Sequence, residues 1–140
     1  MSTQDRIKKH EGKRNKPYKD TVGKLTIGYG RNLDDVGLSD AECDYLFAND
    51  YARAEQMARS FYVYEFLNEA RQGVLVEMCF QMGRAGVARF KRFLEAAQRK
   101  DWDAAALEML DSTWAKQTPG RAKELSEIFR SGETKEVPVR

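Results

Sequence analysis

The chain is expected to adopt an α+β fold, mainly α, with a small β-hairpin lobe near the N-terminus followed by a larger helical lobe. Three observations point there. Residues 17–29 carry short β-prone runs, Tyr18-Lys19-Asp20 and Leu25-Thr26-Ile27, separated by Val22-Gly23, the pattern of a hairpin. Ser39-Asp40-Ala41-Glu42 is a capping box that opens a long helix. From Glu69 to Phe129 the apolar residues recur at helical spacing with little strand character. With 140 residues, one domain is expected: a hairpin lobe over 12–38, a connecting helix over 39–60, a helical lobe over 61–132 on which the first helix packs, and a frayed tail over 133–140.

Each element has its own local cause. A first helix over 3–11 is capped by Ser2 or Thr3, has Asp5 in its first turn and Lys8, Lys9 and His10 in its last, and stops at Gly12. The capped helix at Ser39 runs to about Arg59. Over 69–83, Val74, Leu75, Met78, Cys79 and Met82 form an apolar stripe with few charges, suited to the centre of a core. Phe90, Phe93, Leu94 and Ala97 continue at helical spacing, and Asp101 caps a helix through Ala104, Ala105, Leu107 and Leu110. Thr118-Pro119-Gly120 opens a last helix over 121–129 that Ser131-Gly132 ends.

Composition narrows the function classes. Net charge is +2 and the pI is near 8.5, without the clustered basic face of a nucleic-acid binder; Lys13-Arg14-Asn15-Lys16 reads as a solvated face. No stretch approaches the roughly 20 apolar residues of a membrane span, and Met-Ser-Thr-Gln-Asp lacks the features of a secretory signal, so a cytoplasmic location is expected. Cys43 and Cys79 fall in helical patterns and are expected as reduced, buried thiols. His10 stands without a second His or a Cys nearby and reads as a surface residue, so no metal and no cofactor are expected.

Glu11 and Asp20 are the chemically suggestive pair. Glycoside hydrolysis needs one carboxyl that donates a proton and another that stays ionised, so the two must occupy different environments. Glu11 at a helix C-terminus suits the donor, and Asp20 on a polar strand beside Lys19 suits the base. A loop of Val22-Gly23-Lys24 would set Asp20 directly opposite Thr26, letting the two hold a water on one face of the hairpin. On these residues alone, a helix-end Glu and a turn Asp as cap or surface charge remains an open alternative. Thr26-Ile27-Gly28-Tyr29-Gly30 says only that the backbone turns or approaches something closely.

The arrangement Glu11-x8-Asp20-x5-Thr26, running on into Ile27-Gly28-Tyr29-Gly30, resembles that of the T-even phage lysozymes, within the wider family of phage endolysins. The similarity continues in order through Phe80-Gln81-Met82-Gly83, Gly86-Val87-Ala88, Trp102-Asp103 with Ala105 and Ala106, and Trp114-x2-Gln117-Thr118-Pro119-x-Arg121-Ala122, reaching about Gly132. It implies a lysozyme-like fold with a cleft between the lobes. It also implies inverting hydrolysis of the β-1,4 bond between N-acetylmuramic acid and N-acetylglucosamine in peptidoglycan, with Glu11 as acid and Asp20 with Thr26 activating water. Arg121 is implied as a partner of Glu11, and Gly30, Phe80 and Gln81 as substrate contacts. The implied setting is lysis of a bacterial host by a monomer without stable membrane association, let across the inner membrane by a holin.

The chain departs from the family pattern at several places. Arg31 and Asn32 stand where family members usually carry His and an apolar sugar contact, and Phe93 and Glu108 occupy cleft positions where a small or amide side chain is typical. The stretch from Gly30 to Ser39 is shorter than in the T-even enzymes. A lysozyme-fold domain that binds wall glycan or a protein partner without cleaving is the alternative reading.

Overall fold

The computed structural model describes residues 1–134 and divides into two compact units, Met1–Leu46 and a second that begins at Phe47. The part of the expected tail from residue 135 onward lies outside the described residues.

In the first unit, helix α1 (Thr3–Glu11) starts at a reciprocal cap. The Ser2 hydroxyl accepts the Asp5 N–H at 3.0 Å, and the Asp5 carboxylate accepts the Ser2 N–H at 3.3 Å. Gly12 stops the helix at φ +72°, its N–H donating to the Lys8 carbonyl. Strand β1 (Arg14–Lys19) then pairs antiparallel with β2 (Leu25–Gly28), which pairs antiparallel with β3 (Arg31–Asn32). Register slips between Arg14 and Tyr18. Pro17, which has no N–H to give a ladder, is tolerated there because β1 is an edge strand.

The two-residue β3 was not anticipated, since so short a strand carries no alternation to read. One side chain and one further backbone bond extend its pairing: the Asp34 carboxylate accepts the Leu25 N–H at 2.7 Å, and the Leu33 N–H donates to the Leu25 carbonyl at 2.7 Å. Helix α2 (Asp40–Arg59) begins at the expected box, with Ser39 Oγ accepting the Glu42 N–H at 3.2 Å and Glu42 Oε1 accepting the Ser39 N–H at 2.9 Å. The boundary between the units falls within this helix.

The second unit is helical. After a 3₁₀ turn (Tyr62–Phe66) come α3 (Glu69–Ala88), α4 (Lys91–Gln98), α5 (Trp102–Leu110), α6 (Thr113–Gln117) and α7 (Pro119–Ser131). Helix α3 is broken at Gly83, whose φ of 75° and ψ of 169° are open to glycine and strained for other residues. Asn68, Asp101 and Ser112 cap α3, α5 and α6 by accepting N–H groups of their first turns. The 3₁₀ turn and α6 were missed; each is only five residues long and too short to show a helical period.

Met78, Cys79, Leu75, Val87, Phe93, Met109 and Phe129 are the large side chains most fully enclosed in this unit, so the Met-rich stripe of α3 is core as expected. Phe129 gathers its neighbours, with the Phe93 ring 4.9 Å away and the Trp102 ring 5.7 Å away. Arg71 closes the end of α7: its Nε donates to the Phe129 carbonyl at 2.7 Å, an Nη to the Arg130 carbonyl at 3.1 Å, and its guanidinium lies 3.9 Å over Trp102. Those carbonyls would otherwise be orphans of the helix terminus.

The cysteines divide. Cys79 is buried, and burial pushes its thiol up to about 11. Cys43 is exposed on α2, contrary to the expectation of two buried thiols, because a helical position near apolar residues need not lie on the packed side.

Candidate active site

Glu11 ends α1, and the turn between β2 and β3 comes up against its side chain. A methyl group on Gly30 would lie 2.7 Å from Glu11 Oε2 and 3.2 Å from its Cδ, so the carboxyl rests over the bare Cα of this glycine. Glu11 is otherwise exposed, with no hydrogen bond or ion pair among the described residues. His10, next to it, is exposed as expected.

Asp20 sits where β1 turns. Its Oδ1 accepts the Val22 N–H at 3.0 Å and the Lys24 N–H at 2.8 Å, while its own N–H donates to the Lys24 carbonyl at 2.9 Å. Its Oδ2 has no protein partner among the described residues. The loop is therefore Thr21-Val22-Gly23, closed by the Asp20 side chain.

That corrects the expected register. Thr26 pairs with Tyr18 and Leu25 with Lys19, so Asp20 lies opposite Lys24 and is a diagonal neighbour of Thr26. Two-residue alternation from Tyr18 still places Asp20 and Thr26 toward the same face. Thr26 is 3% exposed, and its hydroxyl donates to the Lys24 carbonyl at 2.9 Å, which leaves its oxygen free to accept. Glu11, Asp20, Thr26 and Gly30 are thus carried by one small sheet and the helix before it. Glu11 meets β2 at its exit into Gly30, and Asp20 at its entry.

Arg31 is engaged within the first unit. Its two Nη groups donate to the two Glu42 oxygens at 2.8 and 2.7 Å, and one also reaches the Gly37 carbonyl at 3.1 Å. The fork ties β3 to the start of α2. Hydrogen bonding from Arg31, helped by the Ser39 N–H and hydroxyl, holds the Glu42 carboxyl down at about 2. Glu42 was legible only as a cap; its second partner lies 11 residues away and leaves no local signal. Asn32 is likewise occupied, donating to Asp35 Oδ2 at 2.9 Å, and its carbonyl oxygen accepts the Asp35 N–H at 3.0 Å.

The remaining predicted residues lie in the second unit. Phe80 on α3 is 41% exposed and meets the exposed Phe47 ring at 5.6 Å, so it is a surface aromatic and not core. Gln81 Oε1 accepts the Trp114 indole N–H at 2.9 Å, which orients the amide and leaves its NH₂ without a protein partner among the described residues. Gln81 and Trp114 line a groove of about 880 Å³ together with Phe90, Glu108 and Gln117. A larger hollow of about 1270 Å³ is lined by none of the predicted site residues.

Arg121 Nε donates to Glu77 at 2.7 Å, and its Nη groups have no partner among the described residues. Phe93 lines the inner wall of the same groove as Gln81 and Glu108. At 1% exposure, between the rings of Phe90 and Phe129, it is packed into the core beneath that groove. Glu108 is half-buried at the groove. Among the described residues no group of three or more His, Cys, Asp or Glu is placed to hold a metal, and no helix is long and apolar enough to cross a membrane.

The comparisons with known proteins agree with one another. The phage lysozyme family model matches residues 8–130. The chain is similar to the probable T4-type lysozyme 2 of Dictyostelium discoideum, 32% identical over 96% of this chain and 97% of the relative. It is also similar to the probable T4-type lysozyme 1 of the same organism, 30% identical over 94% and 95%. The pre-baseplate central spike protein Gp5 of Enterobacteria phage T4 is 31% identical over 94% of this chain but only 28% of its own length. With a family match over most of its length and relatives matched over almost their whole length, the chain belongs to the phage lysozyme family and is a glycoside hydrolase of the lysozyme type.

Proposed function

We propose that the protein cleaves the β-1,4 bond between N-acetylmuramic acid and N-acetylglucosamine in bacterial peptidoglycan by a single inverting displacement. Glu11 gives its proton to the departing glycosidic oxygen. Asp20 Oδ2 takes a proton from a water that attacks the anomeric carbon from the opposite face. The observation that carries this reading is the state of Asp20: Oδ1 is fixed by two backbone N–H groups and Oδ2 is left free on a rigid turn.

Thr26 complements it. Since its own hydrogen is used on the Lys24 carbonyl, its oxygen can accept the water's second hydrogen. A water donating to both Asp20 and Thr26 keeps a lone pair for attack. Arg121, with its Nη groups free, supports the acid, and Phe80 and Gln81 contact the glycan. Gly30 also contacts the glycan through its backbone.

The role is lysis of a bacterial host from within. The enzyme acts as a monomer, held in the host cytoplasm until a holin opens its way to the wall. The test is digestion of purified peptidoglycan followed by mass spectrometry of the fragments. Muropeptides ending in reducing N-acetylmuramic acid are expected. Fragments ending in reducing N-acetylglucosamine would reassign the bond cut, and an unchanged glycan that still binds the protein would make the domain a binder.

A further inference from the structure

Five glycines of the first unit, Gly12, Gly23, Gly28, Gly30 and Gly37, have positive φ, between 64° and 83°, and at Gly37 the nearest atom to a side chain's start is the Leu33 carbonyl oxygen at 3.9 Å. At Gly12, Gly23 and Gly28 nothing lies within 4 Å of where a side chain would start, so the backbone angle alone accounts for glycine there. Gly30 differs. At φ +80° it meets the same backbone demand, and in addition its missing Cβ position is filled by the end of Glu11, at 2.7 Å from Oε2, 3.2 Å from Cδ and 3.6 Å from Cγ. All three atoms belong to the one side chain proposed as the acid.

No polar group of the described residues holds that carboxyl. Glu11 is exposed at the last position of α1, and its carboxyl sits at the end of three rotatable side-chain bonds. The end of the side chain lies in the space that a Gly30 side chain would take. We infer that Gly30 is a positioning residue for Glu11: its bare Cα is the seat in which the acid's carboxyl rests, and any L side chain there displaces the proton donor without changing the chemistry of the donor itself. This rests on Glu11 being the acid, and it gives Gly30 a task beyond a backbone contact to substrate. A proton donor moved by about 1 Å can lose on the order of 10²-fold in rate.

Gly28 supplies the control within the same strand and turn. Gly28→Ala and Gly30→Ala both force an L residue into the left-handed region, at φ +70° and +80°, but only the second meets Glu11. Similar drops in melting temperature are expected for the two variants. Gly30→Ala should lower kcat by about 10²-fold with KM little changed, and Gly28→Ala should keep kcat within about twofold of the parent.

A chemically ligated chain with D-alanine at position 30 removes the backbone strain and turns the methyl away from Glu11, so its kcat should return toward that of the parent. This third protein remains informative even if Gly30→Ala fails to fold. In the full chain, the ¹³Cδ resonance of Glu11 should move in Gly30→Ala and stay in place in Gly28→Ala, whether or not Glu11 is the acid. Equal kcat in the two alanine variants, an unmoved Glu11 resonance in Gly30→Ala, or a D-alanine protein as slow as Gly30→Ala would each overturn the positioning role. Glu11→Gln keeps the two ideas apart: full turnover in that variant would show that the acid assignment failed, while the resonance comparison would still decide whether Gly30 seats the carboxyl.

Discussion

Replacing Phe93 with alanine separates a rim from a core. Phe93 is 1% exposed, with Phe129 at 4.9 Å and Phe90 at 6.3 Å between ring centroids. Truncating such a ring removes its transfer free energy and leaves a cavity that its aromatic neighbours fill only partly. A loss of about 3–5 kcal/mol is expected, a large share of the roughly 5–15 kcal/mol that holds a domain folded. At this chain length each kcal/mol moves the melting temperature by roughly 3–5 °C, so a fall on the order of 10–20 °C follows. The assay is thermal unfolding by circular dichroism, paired with kcat and KM measured well below the variant's transition. An unchanged melting temperature with a large rise in KM would refute the placement in the core and return Phe93 to the substrate rim.

Three further outcomes follow from the geometry. The Glu42 carboxyl is held near 2 against an ordinary 4.5, so its pairing with Arg31 stabilises the fold fully above about pH 4.5 and is lost as pH falls toward 2. Melting temperatures of the parent and Glu42→Gln, followed from pH 7 to pH 2, should therefore converge at the acid end; a constant gap would show that the pair contributes nothing through ionisation. In the native protein at neutral pH a thiol reagent should modify Cys43 quickly and Cys79 only on unfolding, since one is exposed and the other is a buried thiol pushed up to about 11; two fast thiols would contradict the packing of α3. Arg71→Met should lower stability by about 2–3 kcal/mol and speed amide exchange in the last turn of α7, because two carbonyls lose a charged donor; exchange unchanged there would show that water replaces the guanidinium without loss.

Features written in adjacent residues were the ones legible beforehand. The Ser39 and Asp101 caps and the stops at Gly12 and Gly132 each depend on a few neighbouring residues, and the structure has them where expected. The hairpin register failed for a local reason of a different kind. Its loop is set by the Asp20 side chain bonding to Val22 and Lys24, a competition between carboxylate and backbone that strand alternation does not register.

Long-range partners were invisible. Arg31 stands where the family usually carries His, and only the fold shows it forked onto Glu42; Phe93 stood out as a bulky cleft residue, and only the fold puts it against Phe129. Glu11, Asp20 and Thr26 could be named as candidates because their order and spacing resemble a known pattern. What spacing could not supply was how each is held: Asp20 by two amides, Thr26 by a carbonyl, and Glu11 by the absence of a side chain at Gly30.

The most direct test of the account is the turnover of a defined muropeptide oligomer by Glu11→Gln, with folding checked by its melting temperature. Glutamine keeps the shape but cannot donate the proton, so a folded protein with turnover reduced by at least about 10³-fold is expected, within the scale of general acid catalysis and charge removal. A folded Glu11→Gln variant that cleaves at a rate close to the parent's would contradict the assignment of Glu11 as the acid, and with it the mechanism built on this sheet.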